Sequence, residues 1–169
     1  MGTVMSARKP RSAVQVVLLG GLVVGILDIT DATTFWWFRA GLTPIQIFQS
    51  VAAGLLGREA SAAGGVATAL LGAMLHFSIA LSVVTVCYFL SRRVPLIRRQ
   101  PVLAGTIYGI GVFLFMYGVV MPLSRVGAPR WALGAPLINN VLIHILGVGI
   151  PSALFARKAA AAEAVAPAA

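Results

Sequence analysis

Charge is scarce in this chain, and acid scarcer still. Of 169 residues 10% are charged and only four are Asp or Glu, while 59% are hydrophobic. A soluble domain of this size does not have that balance. It would have to hide nearly every residue from 64 to 90 and from 101 to 123 in one small core, which lacks the volume. Cys87 is the single cysteine, so neither a disulfide framework nor a cysteine-based zinc motif can be built within the chain. Also missing are a nucleophile and base motif, a phosphate-cradling loop and an HExxH, so nothing points to an enzyme.

What charge there is has a pattern. The net charge is +9, yet Lys and Arg sit in short clusters between apolar runs, not over a soluble face. This excludes a nucleic-acid partner and reads as a set of topology signals, with a lipid bilayer as the partner. Crossing about 30 Å of hydrocarbon takes roughly 20 helical residues, and four stretches suffice: about 13–34, 65–90, 101–123 and 136–156. The fold class expected is all-α, an integral membrane four-helix bundle forming one domain over 1–158. Arg8, Lys9 and Arg11 precede an apolar run with no small-residue cleavage site, so the first helix is read as uncleaved. With the N-terminus inside, nine Lys and Arg face the cytoplasm and four (Arg39, Arg58, Arg125 and Arg130) face out. That bias places both ends in the cytoplasm of a bacterial inner membrane, with Trp36, Trp37 and Trp131 at the outer interface.

Shorter features fill in the rest. Thr43-Pro44 is an N-cap followed by proline at the first helical position, and Phe48, Val51, Ala52 and Leu55 recur at helical spacing. An amphipathic helix over about 44–57 follows, too short to span and placed flat on the outer surface or folded over the bundle. The Ala-rich stretch 159–169 has nothing large to bury and is expected to be a disordered tail. Gly21 with Gly25, and Gly105 with Gly109, are small-xxx-small faces. They suit packing within the chain better than a homo-oligomer or a membrane-protein partner, although both remain open. Gly147, Gly149 and Pro151 weaken the last helix locally and permit a kink.

Ionisable groups in a bilayer need a reason, because an Asp at a helix centre costs about 2.5 to 3.5 kcal/mol. Asp28 and Asp31 together cost at most about 5 to 7 kcal/mol, which the apolar residues around them offset at about 0.3 to 0.6 each. Asp31 can sit at the outer headgroups; Asp28 is one turn deeper. Counted from the outer ends at 1.5 Å per residue, Asp28 lies roughly 10 Å deep and His76 and His144 about 15 Å. Asn140, one turn from His144, can hydrogen-bond it or a neighbour. Helices two and four of an up-down bundle are diagonal, so the two histidines would face each other across the core. The candidate site for a proton, ion or small polar solute is therefore Asp28, His76, Asn140 and His144, with Asp31 and Asn139 as additional members. The competing readings are polar side chains that only join helices, as in a non-catalytic subunit or assembly factor, and a bis-histidine b-type haem. No cofactor and no metal is expected.

The sequence from Leu75 to about Ala156 resembles a small bacterial inner-membrane family typified by YagU. The features are His76-Phe77-Ser78-Ile79, Cys87-Tyr88, Pro101 to Gly109, Met116 with Pro122, and Asn140 with His144. The resemblance covers about half the chain and leaves the first helix and Asp28-Ile29-Thr30-Asp31 unmatched. It implies an inner-membrane protein linked to acid tolerance, for which a histidine that titrates near pH 6.5 is a physically reasonable sensor.

Overall fold

The computed structural model describes residues 12–128 and 134–165, so the expectations for Met1 to Arg11, Arg130 and Trp131 fall outside it. Every regular element among the described residues is helical. Four helices are long and apolar enough to cross a membrane: α1 (Ala13–Ala40), α4 (Gly65–Arg93), α6 (Pro101–Leu123) and α7 (Ala135–Ala164). Between them lie α2 (Pro44–Leu56), α3 (Arg58–Ala63) and α5 (Pro95–Arg99). Outward faces carry Leu18, Leu70, Met74, Ile107, Leu114 and Leu146, all at least half exposed. Such faces suit a bilayer, where lipid tails cover them without cost.

The helix ends follow local chemistry. Ser12 caps α1 in a reciprocal capping box with Gln15, and Thr43 does the same for α2 with Gln46. The far end of α1 differs from expectation: the helix runs past Thr34 through Phe35-Trp36-Trp37-Phe38 to Ala40. It stops where Gly41 adopts a left-handed conformation, φ 67°, and its N–H closes onto the Trp36 and Trp37 carbonyls. Two helices contain a π turn, Met116–Val120 in α6 and His144–Gly149 in α7, so the local weakness expected near Gly147 and Gly149 takes that form.

The expected diagonal between the second and fourth spans does not form. Helices α1, α4 and α7 pack mutually, α7 also takes α6 on its other side, and Ala80 and Val84 of α4 meet Val148 of α7 in one core. Glycine is the reason. A Cβ at Gly21 would strike the Leu81 backbone, one at Gly25 the Phe77 ring, and one at Gly20 the Phe155 side chain. Along α6, Cβ atoms at Gly105 and Gly109 would fall on the backbone at Ile150 and His144. Both small-xxx-small faces therefore act within the chain, and the second one draws α7 to the centre. Helix α2 folds over the bundle, its Phe48 carbonyl seated against Gly72 of α4.

The expected Ala-rich tail over 159–169 is corrected for its first part, since α7 continues without a break through Ala159 to Ala164, while residues 166–169 fall outside the described ones. Alanine is the best helix former and no proline intervenes. Ala159 is fully buried, and Glu163 accepts a 2.8 Å hydrogen bond from Tyr88 Oη and lies 3.6 Å from Arg92.

Candidate functional site within the helix bundle

The α1 residues Asp28 and Asp31 stand one turn apart on the face turned toward α7 and α4. Measured from the α2 end at 1.5 Å per residue, Asp28, His76 and His144 sit roughly 18, 16 and 14 Å along their helices. Asp28 is deeper than expected because α1 extends to Ala40.

His76 has the best-defined surroundings. Its side chain is 11% exposed, and its Nε2 lies 2.9 Å from the Gly25 carbonyl oxygen on α1. A carbonyl only accepts, so this Nε2 carries a proton and donates it. The other ring nitrogen, Nδ1, faces the Asp28 carboxylate at 4.0 Å. The rings of Phe77 and Phe48 meet the imidazole edge to face at 5.2 and 6.3 Å, walling it from two sides. Gly25, which lets α1 approach α4, is also the residue whose carbonyl fixes the histidine.

His144 is fixed within its own helix. Its Nδ1 donates to the Asn140 backbone carbonyl at 2.8 Å, which makes Nε2 the acceptor nitrogen of the neutral ring. Its ring stands edge to face on Phe113 at 5.6 Å. The Asn140 side chain, expected to bond His144 or a neighbour, takes neighbours: it donates to the Pro136 carbonyl at 3.0 Å and hydrogen-bonds Tyr117. Asp28 is within electrostatic reach of His144, His76 and Asp31, and Tyr117 is within reach of Asp28. Asp28, both histidines, Asn140 and Tyr117 therefore share one region, drawn from all four long helices.

Asp31 and Asn139 form a separate pair nearer the α2 end, where the Asn139 amide donates to Asp31 Oδ2 at 2.7 Å. They line an open cleft of about 600 Å³ with Thr34, Phe35, Phe38 and Arg39. On the opposite side of the site the interior is close-packed: Val24, Val84, Cys87, Ala153 and Ala156 are at most 1% exposed. Ser152 is the one buried hydroxyl without a partner among the described residues.

Sequence reasoning missed Tyr117 and Phe113. Each lies in an apolar run, and the only available signal was a tyrosine hydroxyl that must find a partner when buried. The haem reading does not fit these residues, because His76 commits to Gly25 the Nε2 that an iron would need. Among the described residues no three metal-binding side chains cluster. No known protein family, curated protein or solved structure matches the chain.

Proposed function

We propose that this chain is a multi-pass inner-membrane protein that holds an exchangeable proton at Asp28 and His76, loaded from the α2 end, with His144, Asn140 and Tyr117 around it. One observation carries the reading. With Nε2 donating to Gly25, the only ring nitrogen left to face Asp28 is Nδ1, and a bare Nδ1 facing a bare carboxylate at 4.0 Å would set lone pair against charge. A proton on either partner removes the conflict, so the pair is built to hold one. The close-packed valine and alanine interior on the other side, with Asp31 one turn from Asp28 toward the α2 end, supports loading from that end. Passing a proton onward would require that interior to open.

Orientation belongs to the same proposal. Among the described residues, Arg92, Arg93, Arg98, Arg99, Arg157 and Lys158 gather at the end where α1 begins and α7 finishes, and Arg39, Arg58 and Arg125 at the α2 end. The bias supports a cytoplasmic N-terminus and a cleft facing outward.

A second reading has its own support: His76 to Gly25 joins α4 to α1, and Asn139 to Asp31 joins α7 to α1. These bonds would serve a subunit or assembly factor equally well. Infrared difference spectra of the protein in lipid, stepped between pH 4 and 8 (spanning roughly the carboxylate and imidazole ranges), separate the two. The proton site predicts coupled carboxyl and imidazole bands, both altered in Asp28→Asn. Spectra in which Asp28→Asn leaves the imidazole bands unmoved would leave only the joining role.

A further inference from the structure

At the end of α4 away from α2 lies a second cleft of about 580 Å³, lined by Val86, Phe89, Leu90, Arg92 and Arg93. Val86, Phe89, Leu90 and Arg93 recur at i, i+3, i+4 and i+7, so they form one stripe of the helix. The three apolar members are 50%, 56% and 40% exposed. Along the stripe the apolar wall comes first and the arginines follow it outward, with Arg93 about 10 Å beyond Val86 at 1.5 Å per residue. A phospholipid has the same order, its chain toward the bilayer centre and its phosphate beyond. Charge then decides the class of headgroup. Arg92, Arg93, Arg98, Arg99, Arg157 and Lys158 gather at this end, and among the described residues Glu163 is the only acid there. Glu163 accepts a 2.8 Å hydrogen bond from Tyr88 Oη and stands 3.6 Å from Arg92. No acid among the described residues pairs with Arg93.

From this we infer that the cleft seats an acidic phospholipid, its chain along Val86, Phe89 and Leu90 and its phosphate on Arg93, with Arg92 shared between that phosphate and Glu163. A guanidinium matches phosphate oxygens geometrically, and arginine stems lie along apolar surface while the charged head stays at the headgroup level. Choline or ethanolamine headgroups would bring a cation into a surplus of positive charge. A phosphoglycerol headgroup brings none. Free phosphate would satisfy the arginines but leave the apolar wall uncovered, so a lipid is the occupant that uses both halves of the cleft. Glu163 acts as an internal competitor, because each contact it keeps with Arg92 is one the phosphate lacks. The inference rests on the membrane reading but not on the proton site.

The test is native mass spectrometry of the full chain in detergent, offered equal amounts of phosphoglycerol, phosphoethanolamine and phosphocholine lipids of matched acyl chains. The expected result is several-fold greater retention of the phosphoglycerol lipid, with no displacement by excess soluble glycerol phosphate. Arg93→Gln should abolish the preference, and Glu163→Gln, which releases Arg92, should raise it. Arg93→Lys keeps the charge without the planar fork, should lower the preference part way, and serves if Arg93→Gln does not fold. Replacing Arg98 and Arg99 together by Gln removes charge from the same end outside the cleft and should leave the preference in place. Equal retention of the three lipids, equal losses from the Arg93 and the Arg98 and Arg99 variants, weaker retention in Glu163→Gln, or displacement by glycerol phosphate would each overturn the inference. Such a failure with the infrared proton signature intact would sink this site alone.

Discussion

The most direct challenge to the proposed pair is a double-mutant cycle between Asp28→Asn and His76→Gln. Glutamine places an amide nitrogen near the former Nε2, so the 2.9 Å bond to Gly25 can persist while the Nδ1 and the titratable charge are lost. Asparagine keeps the shape of Asp28 without its charge. At 4.0 Å, a charged pair attracts by about 1 kcal/mol in water and about 4 kcal/mol at an effective dielectric of 20. With the Asp28 side chain 29% exposed, the coupling belongs inside that range, about 1 to 3 kcal/mol. Equilibrium unfolding in mixed detergent and SDS micelles, followed by circular dichroism near pH 6, reads all four proteins. The double variant should cost less than the two singles summed, by that coupling. Additivity within about 0.5 kcal/mol, the behaviour of independent sites, would refute the idea that Asp28 and His76 act as one unit.

Two further outcomes test the packing around the site. Gly109→Val should destabilise by about 1 to 3 kcal/mol in the same unfolding assay, because its side chain would meet the His144 carbonyl; a neutral result would mean that α6 and α7 do not touch there. In the Ala-rich stretch, Ala159→Leu should cost a similar amount, about 1 to 3 kcal/mol, since Ala159 is fully buried, while Ala161→Leu on the exposed face should change little. Equal, negligible effects at both positions would restore the disordered tail.

The sequence made the long helices legible because oil solubility is a local property: any run of about 20 apolar residues reports it. The capping chemistry at Thr43 was equally local. Depth was not. Whether α1 ends at Thr34 or Ala40 depends on Gly41 turning left-handed, and that shift lowered Asp28 by about two turns. Who neighbours whom was also hidden, because Gly105 and Gly109 announce close packing without naming a partner. Hence Asp28, His76 and His144 lie at similar levels along their helices, while the diagonal geometry assumed for them does not form. Tyr117 escaped because its reason for being there, the Asn140 amide, lies on another helix. The tail was misjudged from bulk, where alanine's fit against a crowded neighbour mattered more.

The glycine seam joining α6 to α7 bears on how such a molecule could ever change shape. Backbone meets backbone at Gly105, Gly109 and Gly149, leaving no side chains to slide or swing, so these two helices must travel together as a single lever. The side-chain-filled contacts of α1 and α4 with α7 are the softer joint. Tyr117 and His144 ride on the lever and Asp28 and His76 on its fulcrum, so any rocking at that joint would open or close the gap between the two halves of the polar cluster.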